Sequence, residues 1–245
     1  MSVPAPHPFA STTAEFAANL AAVQANIAAA AERAGRSADE VRLLPVSKTV
    51  PEDRLCLAIA AGCHRLGENK VQEAKRKSES LARLGVDWAV IGHLQTNKAK
   101  DVASFATEFQ ALDNLRVAQA LDRRLTDLGR TLEVYVQVNT SAEESKFGLP
   151  PEELAGFLRE LPRYETLRVQ GLMTLALFTS DTDRVRECFR TLRTLRDRMR
   201  EESPDLIGTG ELSMGMSGDY ELAIEEGASC VRVGQAIFGA RNTPD

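Results

Sequence analysis

The chain holds few of the residues from which several common kinds of site are built. Its 245 residues include four cysteines, three histidines, three tyrosines and one tryptophan. Cys56, Cys63, Cys188 and Cys230 fall at unrelated spacings with no C-x-x-C pair, which argues against a zinc site and against a disulfide framework. They read as small buried residues of a protein in the reducing cytosol. Positive charge is not in excess either. A net charge of −5 with both signs interspersed lacks the basic footprint of a dedicated nucleic-acid binder. No G-x-G-x-x-G follows the first apolar run, so the dinucleotide-binding fingerprint is missing. No repeat, low-complexity linker or proline-rich boundary divides the chain into two domains. Residues 1–13 carry prolines and small polar residues but no basic segment ahead of an apolar core. A secretory signal is therefore not expected, and this stretch reads as a flexible lead-in to one domain over 14–245.

What is present is alternation. Residues 14–34 place Phe16, Leu20, Val23 and Ile27 at three- and four-residue steps, with Gly35 just beyond, which predicts an amphipathic helix and not a membrane span. Short apolar or β-rich runs then occur at 41–46, 64–66, 88–91, 109–112, 132–138, 167–173, 211–214 and 230–233, and most intervals between them carry helical patterning. About eight β-then-α units in a chain of this length predict an α/β fold, a single (β/α)8 TIM-type barrel with an extra N-terminal helix. The second run is the weakest, and a doubly wound sheet is the alternative.

Barrel chemistry collects where strands end and loops begin. Lys48 ends the first run. A lysine delivered into a desolvated pocket is pushed toward its neutral amine, which can form a Schiff base with an aldehyde; the alternative is a solvated surface lysine. The loops after the seventh and eighth runs offer a phosphate cradle, because Gly218 and Gly234 let backbone N–H groups approach an anion and Ser217 is placed to cap the following helix. Asp219 would have to point away from such a phosphate. Arg232, among apolar strand residues, needs either an ion-pair partner or a ligand. Together these describe a pocket for a phosphorylated aldehyde, pyridoxal 5′-phosphate (PLP).

Seven segments carry a family resemblance: Val46-Ser47-Lys48-Thr49; Gly67-Glu68-Asn69 with Val71-Gln72-Glu73; Ile91-Gly92-His93-Leu94-Gln95 with Asn97-Lys98; Val138-Asn139-Thr140 with Glu144-Ser145-Lys146-Phe147-Gly148; Gly171-Leu172-Met173-Thr174; Leu212-Ser213-Met214-Gly215-Met216-Ser217; and Val231-Arg232-Val233-Gly234. Across nearly the whole chain they resemble the pyridoxal phosphate homeostasis proteins, the YggS/PROSC-like family, related to the barrel domain of alanine racemase. The resemblance implies a PLP-binding protein with the cofactor as an internal aldimine on Lys48, Asn69 near the ring and Arg232 facing the pyridine nitrogen. It gives the phosphate to Ser217 and the backbone around Gly234 and Gln235, and counts Met216 and Gly218 among the cofactor-binding residues. It further implies a cytoplasmic monomer that serves vitamin B6 homeostasis, hands PLP to dependent apoenzymes, and contacts neither nucleic acid nor membrane. Two positions depart from the family pattern: Lys70 stands where an aromatic residue is frequent, and Gln235 where a hydroxyl is usual.

Other features have plainer readings. The arginines between Arg184 and Arg200 alternate with Val185, Phe189, Leu192, Leu195 and Met199 as on a solvated helix with a core stripe. Lys75-Arg76-Lys77 reads as helix surface, Met173, Met214 and Met216 as core filler or a soft wall, and His93 as a hydrogen-bonded structural residue or a base. A PLP-dependent racemase is the alternative function. It needs a base on each face of its substrate, and Tyr135, Tyr164 and Tyr220 all fall on expected barrel elements. A bare scaffold would leave Lys48 and the glycine loops unexplained.

Overall fold

The computed structural model describes residues 9–141, 143 and 146–239. Eight parallel strands form its centre: β1 (Arg42–Pro45), β2 (Arg65–Glu68), β3 (Asp87–Val90), β4 (Glu108–Leu112), β5 (Leu132–Gln137), β6 (Leu167–Met173), β7 (Glu211–Met216) and β8 (Cys230–Val233). They are hydrogen-bonded in the order β1-β8-β7-β6-β5-β4-β3-β2. The two ends of that sheet meet at a parallel bridge between Val46 and Gly67, where the Ser47 N–H donates to the Gly67 carbonyl at 2.9 Å. Gly67 lets β1 come this close, since a Cβ there would lie 3.3 Å from Leu44 Cδ2. The expected (β/α)8 barrel is the fold observed.

Helices α2 (Glu52–Ala60), α3 (Val71–Ser80), α4 (Ala99–Phe105), α5 (Leu115–Leu128), α6 (Leu154–Glu160), α7 (Thr182–Glu202), α8 (Tyr220–Glu225) and α9 (Gln235–Phe238) follow their strands, and α1 (Thr13–Arg33) precedes them. Phe16, Leu20, Val23 and Ile27 of α1 are buried, as their spacing predicts, and the helix packs on α2, α8 and α9. It thus covers the side of the barrel where α8 and α9 are only six and four residues long. Thr12 and Glu15 close its start as a reciprocal capping box. Residues 1–8 of the expected lead-in lie outside the described residues. Of the rest, Ala10 is buried and its carbonyl accepts two bonds from Arg54, whose guanidinium lies 3.6 Å over the Phe9 ring.

All eight strands fall within two residues of their expected limits. The second runs from Arg65 to Glu68 instead of over 64–66, because Gly67 and Glu68 look like turn residues in sequence while Gly67 packs on Leu44 inside the barrel and Glu68 faces α3, where it bonds Lys77. The barrel interior is two-tiered. Leu44, Ala89 and Cys230 form a small apolar cluster with Ile91. Beside it, Glu108 is fully buried and pairs with Arg42 at 3.0 Å and Arg65 at 2.9 Å, while Gln110 bonds both Glu108 and Ser213. A buried carboxylate persists only with such partners.

Two surface readings need correction. The apolar stripe of α7 is buried as expected, yet its arginines do more than face water. Arg186, Arg190 and Arg193 all pair with Glu226, which is 4% exposed. Burial pushes that carboxyl upward, but the Arg190 and Arg186 bonds outweigh it and hold its pKa below the ordinary value of 4.5. Lys77 likewise is not on the helix surface; it is fully buried. Among the described residues no helix is long and apolar enough to cross a membrane, and no cluster of residues is arranged to hold a metal.

Candidate cofactor site

At the C-terminal mouth of the barrel a cavity of about 270 Å³ brings together Lys48, Met216, Ser217, Gly218, Arg232, Gly234 and Gln235. Val46, Ile91, Leu175 and Phe178 complete its wall. The backbone explains the meeting. β1 and β8 are neighbours, with Pro45 opposite Val233 and Leu44 opposite Arg232, so the loops that leave them at Lys48 and Gly234 open onto the same space. β7 pairs with the other edge of β8, Met216 opposite Arg232, and brings Ser217 and Gly218 alongside.

Gly234 is required by close packing. A Cβ there would stand 2.9 Å from the Val46 carbonyl oxygen. Its N–H donates to Ser217 Oγ at 3.2 Å, so the β7 and β8 loops are tied across the proposed phosphate position. Gly218 is different, since a Cβ there would meet nothing within 4 Å. The N–H groups of Gln235 and Ala236 precede the first intrahelical bond of α9, from Ile237 to the Gly234 carbonyl, and are available to a ligand by helix geometry. Ser217 does not cap α8 as the sequence suggests. Asp219 occupies the N-cap position without a side-chain cap bond, and its carboxylate instead accepts the Met216 N–H at 2.5 Å. Burial raises its pKa, with the Met216 bond and the Arg232 charge opposing.

Arg232 is 3% exposed and donates to Ser213 Oγ at 2.7 Å and to the Thr174 carbonyl at 2.8 Å. Both partners are neutral, and among the described residues no carboxylate forms an ion pair with it. Burial accordingly opposes its charge. A buried guanidinium held by neutral acceptors at a cavity wall has capacity for an acceptor atom of a ligand. Lys48 is half-buried. The residue after it, Thr49, has φ of +67° and is the one non-glycine residue with positive φ among the described residues, an uncommon conformation for a β-branched side chain.

Not every expected residue reaches the cavity. Asn69 is exposed at the end of β2 and is not part of the wall. His93 stacks on Phe147 at 3.9 Å, faces Asp113 across 3.8 Å and is not part of the wall. Lys146 is engaged by Glu143 at 2.6 Å and the Ala176 carbonyl at 3.0 Å. Of the segment around it, Glu144 and Ser145 lie outside the described residues.

The model of the alanine racemase N-terminal domain matches residues 18–242. A pyridoxal phosphate homeostasis protein of Aquifex aeolicus is 40% identical over 225 residues, covering 91% of this chain and 96% of its own length. One from Pseudomonas aeruginosa is 41% identical over 228 residues, covering 93% and 96%. The chain belongs to the pyridoxal phosphate homeostasis protein family. Among solved structures, the family member PipY of Synechococcus elongatus, determined with PLP bound, superposes with a TM-score of 0.80 at 32% identity, over 91% of this chain and all of PipY.

Four residues around the family's lysine segment escaped the sequence reading as a working group: Ser47, Glu68, Glu73 and Lys77. Lys77 donates to the Ser47 carbonyl at 2.8 Å, Glu68 Oε1 at 2.7 Å and Glu73 Oε1 at 2.7 Å. A signal was available, since Val71, Ala74, Lys77 and Leu81 share the buried face of α3. Leu175 and Phe178 of the cavity wall lie on a loop that no periodicity marks.

Proposed function

We propose that this protein binds PLP in the Lys48 cavity, holds it covalently through the Lys48 amine and serves cellular PLP homeostasis without substantial catalytic turnover. The observation that carries the reading is the convergence of an amine, a buried guanidinium and a two-loop N–H cradle on one cavity of about 270 Å³. The residues fit the cofactor. Lys48 meets the aldehyde, Arg232 faces the pyridine nitrogen, and Ser217 Oγ, positioned by the Gly234 N–H, holds the phosphate with backbone N–H groups at Gly218 and Gln235, with Met216 alongside. Asn69, expected near the ring, lies exposed outside this wall. Bound PLP supplies an aldehyde for an amine and an electron-accepting ring. The family's curated names and the PLP-bound PipY structure support this reading.

The racemase reading has less support. Lys48 and Arg232 are the titratable side chains in the cavity wall. The three tyrosines are placed elsewhere: Tyr135 donates to Glu211 at 2.5 Å, the Tyr220 hydroxyl accepts from Asn26 at 3.2 Å, and Tyr164 packs in the core. Among the described residues of the wall, a proton taken from one face of a substrate has no second base to return it to the other. We read residues 14–245 as one working unit, a cytoplasmic monomer whose free, mostly buried thiols suit a reducing compartment, with PLP-dependent apoenzymes as recipients of the cofactor.

Loading the protein with PLP and incubating it with L-alanine in deuterated water tests the reading, with α-hydrogen exchange and chirality as readouts. Tight, phosphate-dependent PLP binding with negligible exchange is expected. Turnover of about 1 per second or faster, ordinary for an enzyme, would overturn it.

A further inference from the structure

We infer that Lys77 is a positioning residue for Lys48, working through Glu73 and Glu68 to clamp the backbone on both sides of it; this rests on Lys48 being the cofactor-binding lysine. Ser47 and Thr49 flank Lys48, and the Lys77 ammonium reaches both. On the Ser47 side, Lys77 Nζ donates directly to the Ser47 carbonyl at 2.8 Å. The Ser47 hydroxyl donates at 2.6 Å to Glu68 Oε1, the oxygen that also accepts from Lys77. On the Thr49 side, Glu73 Oε1 accepts the Thr49 N–H at 2.7 Å while accepting from Lys77 at the same distance. One buried ammonium therefore organises the residues before and after the lysine.

The geometry gives the clamp a specific task. Thr49 sits at φ +67°, which Cβ crowding disfavours for a β-branched residue. Such a conformation persists only where its surroundings over-determine it, and two bonds restrain it: the Val50 N–H donates to the Ser47 carbonyl at 3.0 Å to close the turn, and the Thr49 N–H donates to Glu73. Without the Glu73 bond the turn is held by the Val50 bond alone, and the position of Lys48 against the cavity loosens. Full burial of Lys77 and Glu68 makes the anchor rigid. Glu73 is half-buried and joins α3 by an i,i+4 pair with Lys77, so the position of the α3 helix is transmitted to the lysine turn.

The test uses the full chain and measures PLP affinity by visible absorption, with circular dichroism as a check on folding. Glu73→Ala removes the Thr49 bond at a half-buried position and leaves the Lys77 ammonium paired with Glu68. It is expected to weaken covalent PLP binding about tenfold, ~1.4 kcal/mol, and to weaken pyridoxal equally because the phosphate cradle is untouched. Adding Thr49→Gly, which adopts positive φ freely, should restore most of the affinity. In a Lys48→Ala background the Glu73→Ala effect should vanish, since only noncovalent binding remains. Lys77→Met should weaken binding at least as much as Glu73→Ala; if that variant does not fold, the Glu73 and Thr49 series decides alone. A folded Glu73→Ala protein with unchanged affinity, no rescue by Thr49→Gly, or an equal loss in the Lys48→Ala background would each overturn the inference. Failure of the unmodified protein to hold PLP covalently would instead overturn the reading beneath it.

Discussion

Gly218 and Gly234 lie on the two loops of the proposed phosphate cradle, and one added methyl group should separate their roles. At Gly234 a Cβ would stand 2.9 Å from the Val46 carbonyl oxygen, a backbone atom that cannot swing aside. Gly234→Ala must therefore push the ends of β1 and β8 apart, with an overpacking penalty of ~2 kcal/mol. For a chain of this length that lowers Tm by roughly 4–8 °C. The same displacement moves the Gly234 N–H from Ser217 Oγ, so PLP affinity should fall as well. At Gly218 the methyl meets nothing within 4 Å and φ is not positive. Gly218→Ala should leave Tm unchanged or raise it slightly, because alanine restricts the unfolded chain by ~0.5 kcal/mol more than glycine does. Its penalty should fall on ligand binding, and on PLP far more than on pyridoxal, as the methyl crowds the phosphate. Thermal melts of the free proteins, paired with PLP and pyridoxal titrations, check both. A Gly218→Ala protein that binds PLP as tightly as the unmodified chain would refute the placement of the phosphate, and an unperturbed melt for Gly234→Ala would refute the packing argument.

Ser217→Ala removes the acceptor of the Gly234 N–H and should weaken PLP binding by ~1 kcal/mol, read as a fivefold rise in Kd. Arg232→Met takes a donor from both Ser213 Oγ and the Thr174 carbonyl and withdraws the cation proposed to face the ring nitrogen; ~2 kcal/mol of binding should be lost, and the pH titration of the bound cofactor's absorption should shift. Glu226, held below its ordinary 4.5 by Arg190 and Arg186 against the effect of burial, contributes stability that is present above the unfolded value and lost as pH falls through the folded one. Urea unfolding at pH 7 and at about pH 3 should therefore show a shallower pH dependence for Glu226→Gln than for the unmodified protein, together with lower stability at neutral pH.

Local pattern made the barrel legible. β8 could be placed to the residue because a parallel strand buried at every position reads as a short, largely apolar run, and β6 was placed as well although Arg168 and Gln170 interrupt its apolar pattern. Lys48, Arg232 and the two glycine loops stood out because their chemistry is unusual at strand ends, and all of them line one cavity. What stayed hidden depends on partners distant in sequence. Ser217 looked like a helix cap, but its hydroxyl is used by Gly234, 17 residues on. Lys77 looked like surface because its partners Ser47 and Glu68 lie 30 and 9 residues away. The neutral acceptors that hold Arg232 come from Ser213 and Thr174, on or beside two other strands. No sequence window contains such pairs. The strain at Thr49 is invisible for a similar reason, since nothing in Lys48-Thr49-Val50 calls for a positive φ.

Borohydride reduction of the PLP-loaded protein, followed by mapping of the modified peptide, tests the central claim most directly. Lys48, Lys98 and Lys146 all follow strands, but only Lys48 lines the cavity with Arg232 and the glycine loops. The reduced pyridoxyl group is expected on Lys48, with Lys98 and Lys146 unmodified at one equivalent of cofactor. A tag on Lys98 or Lys146 while Lys48 remains unmodified would contradict the account.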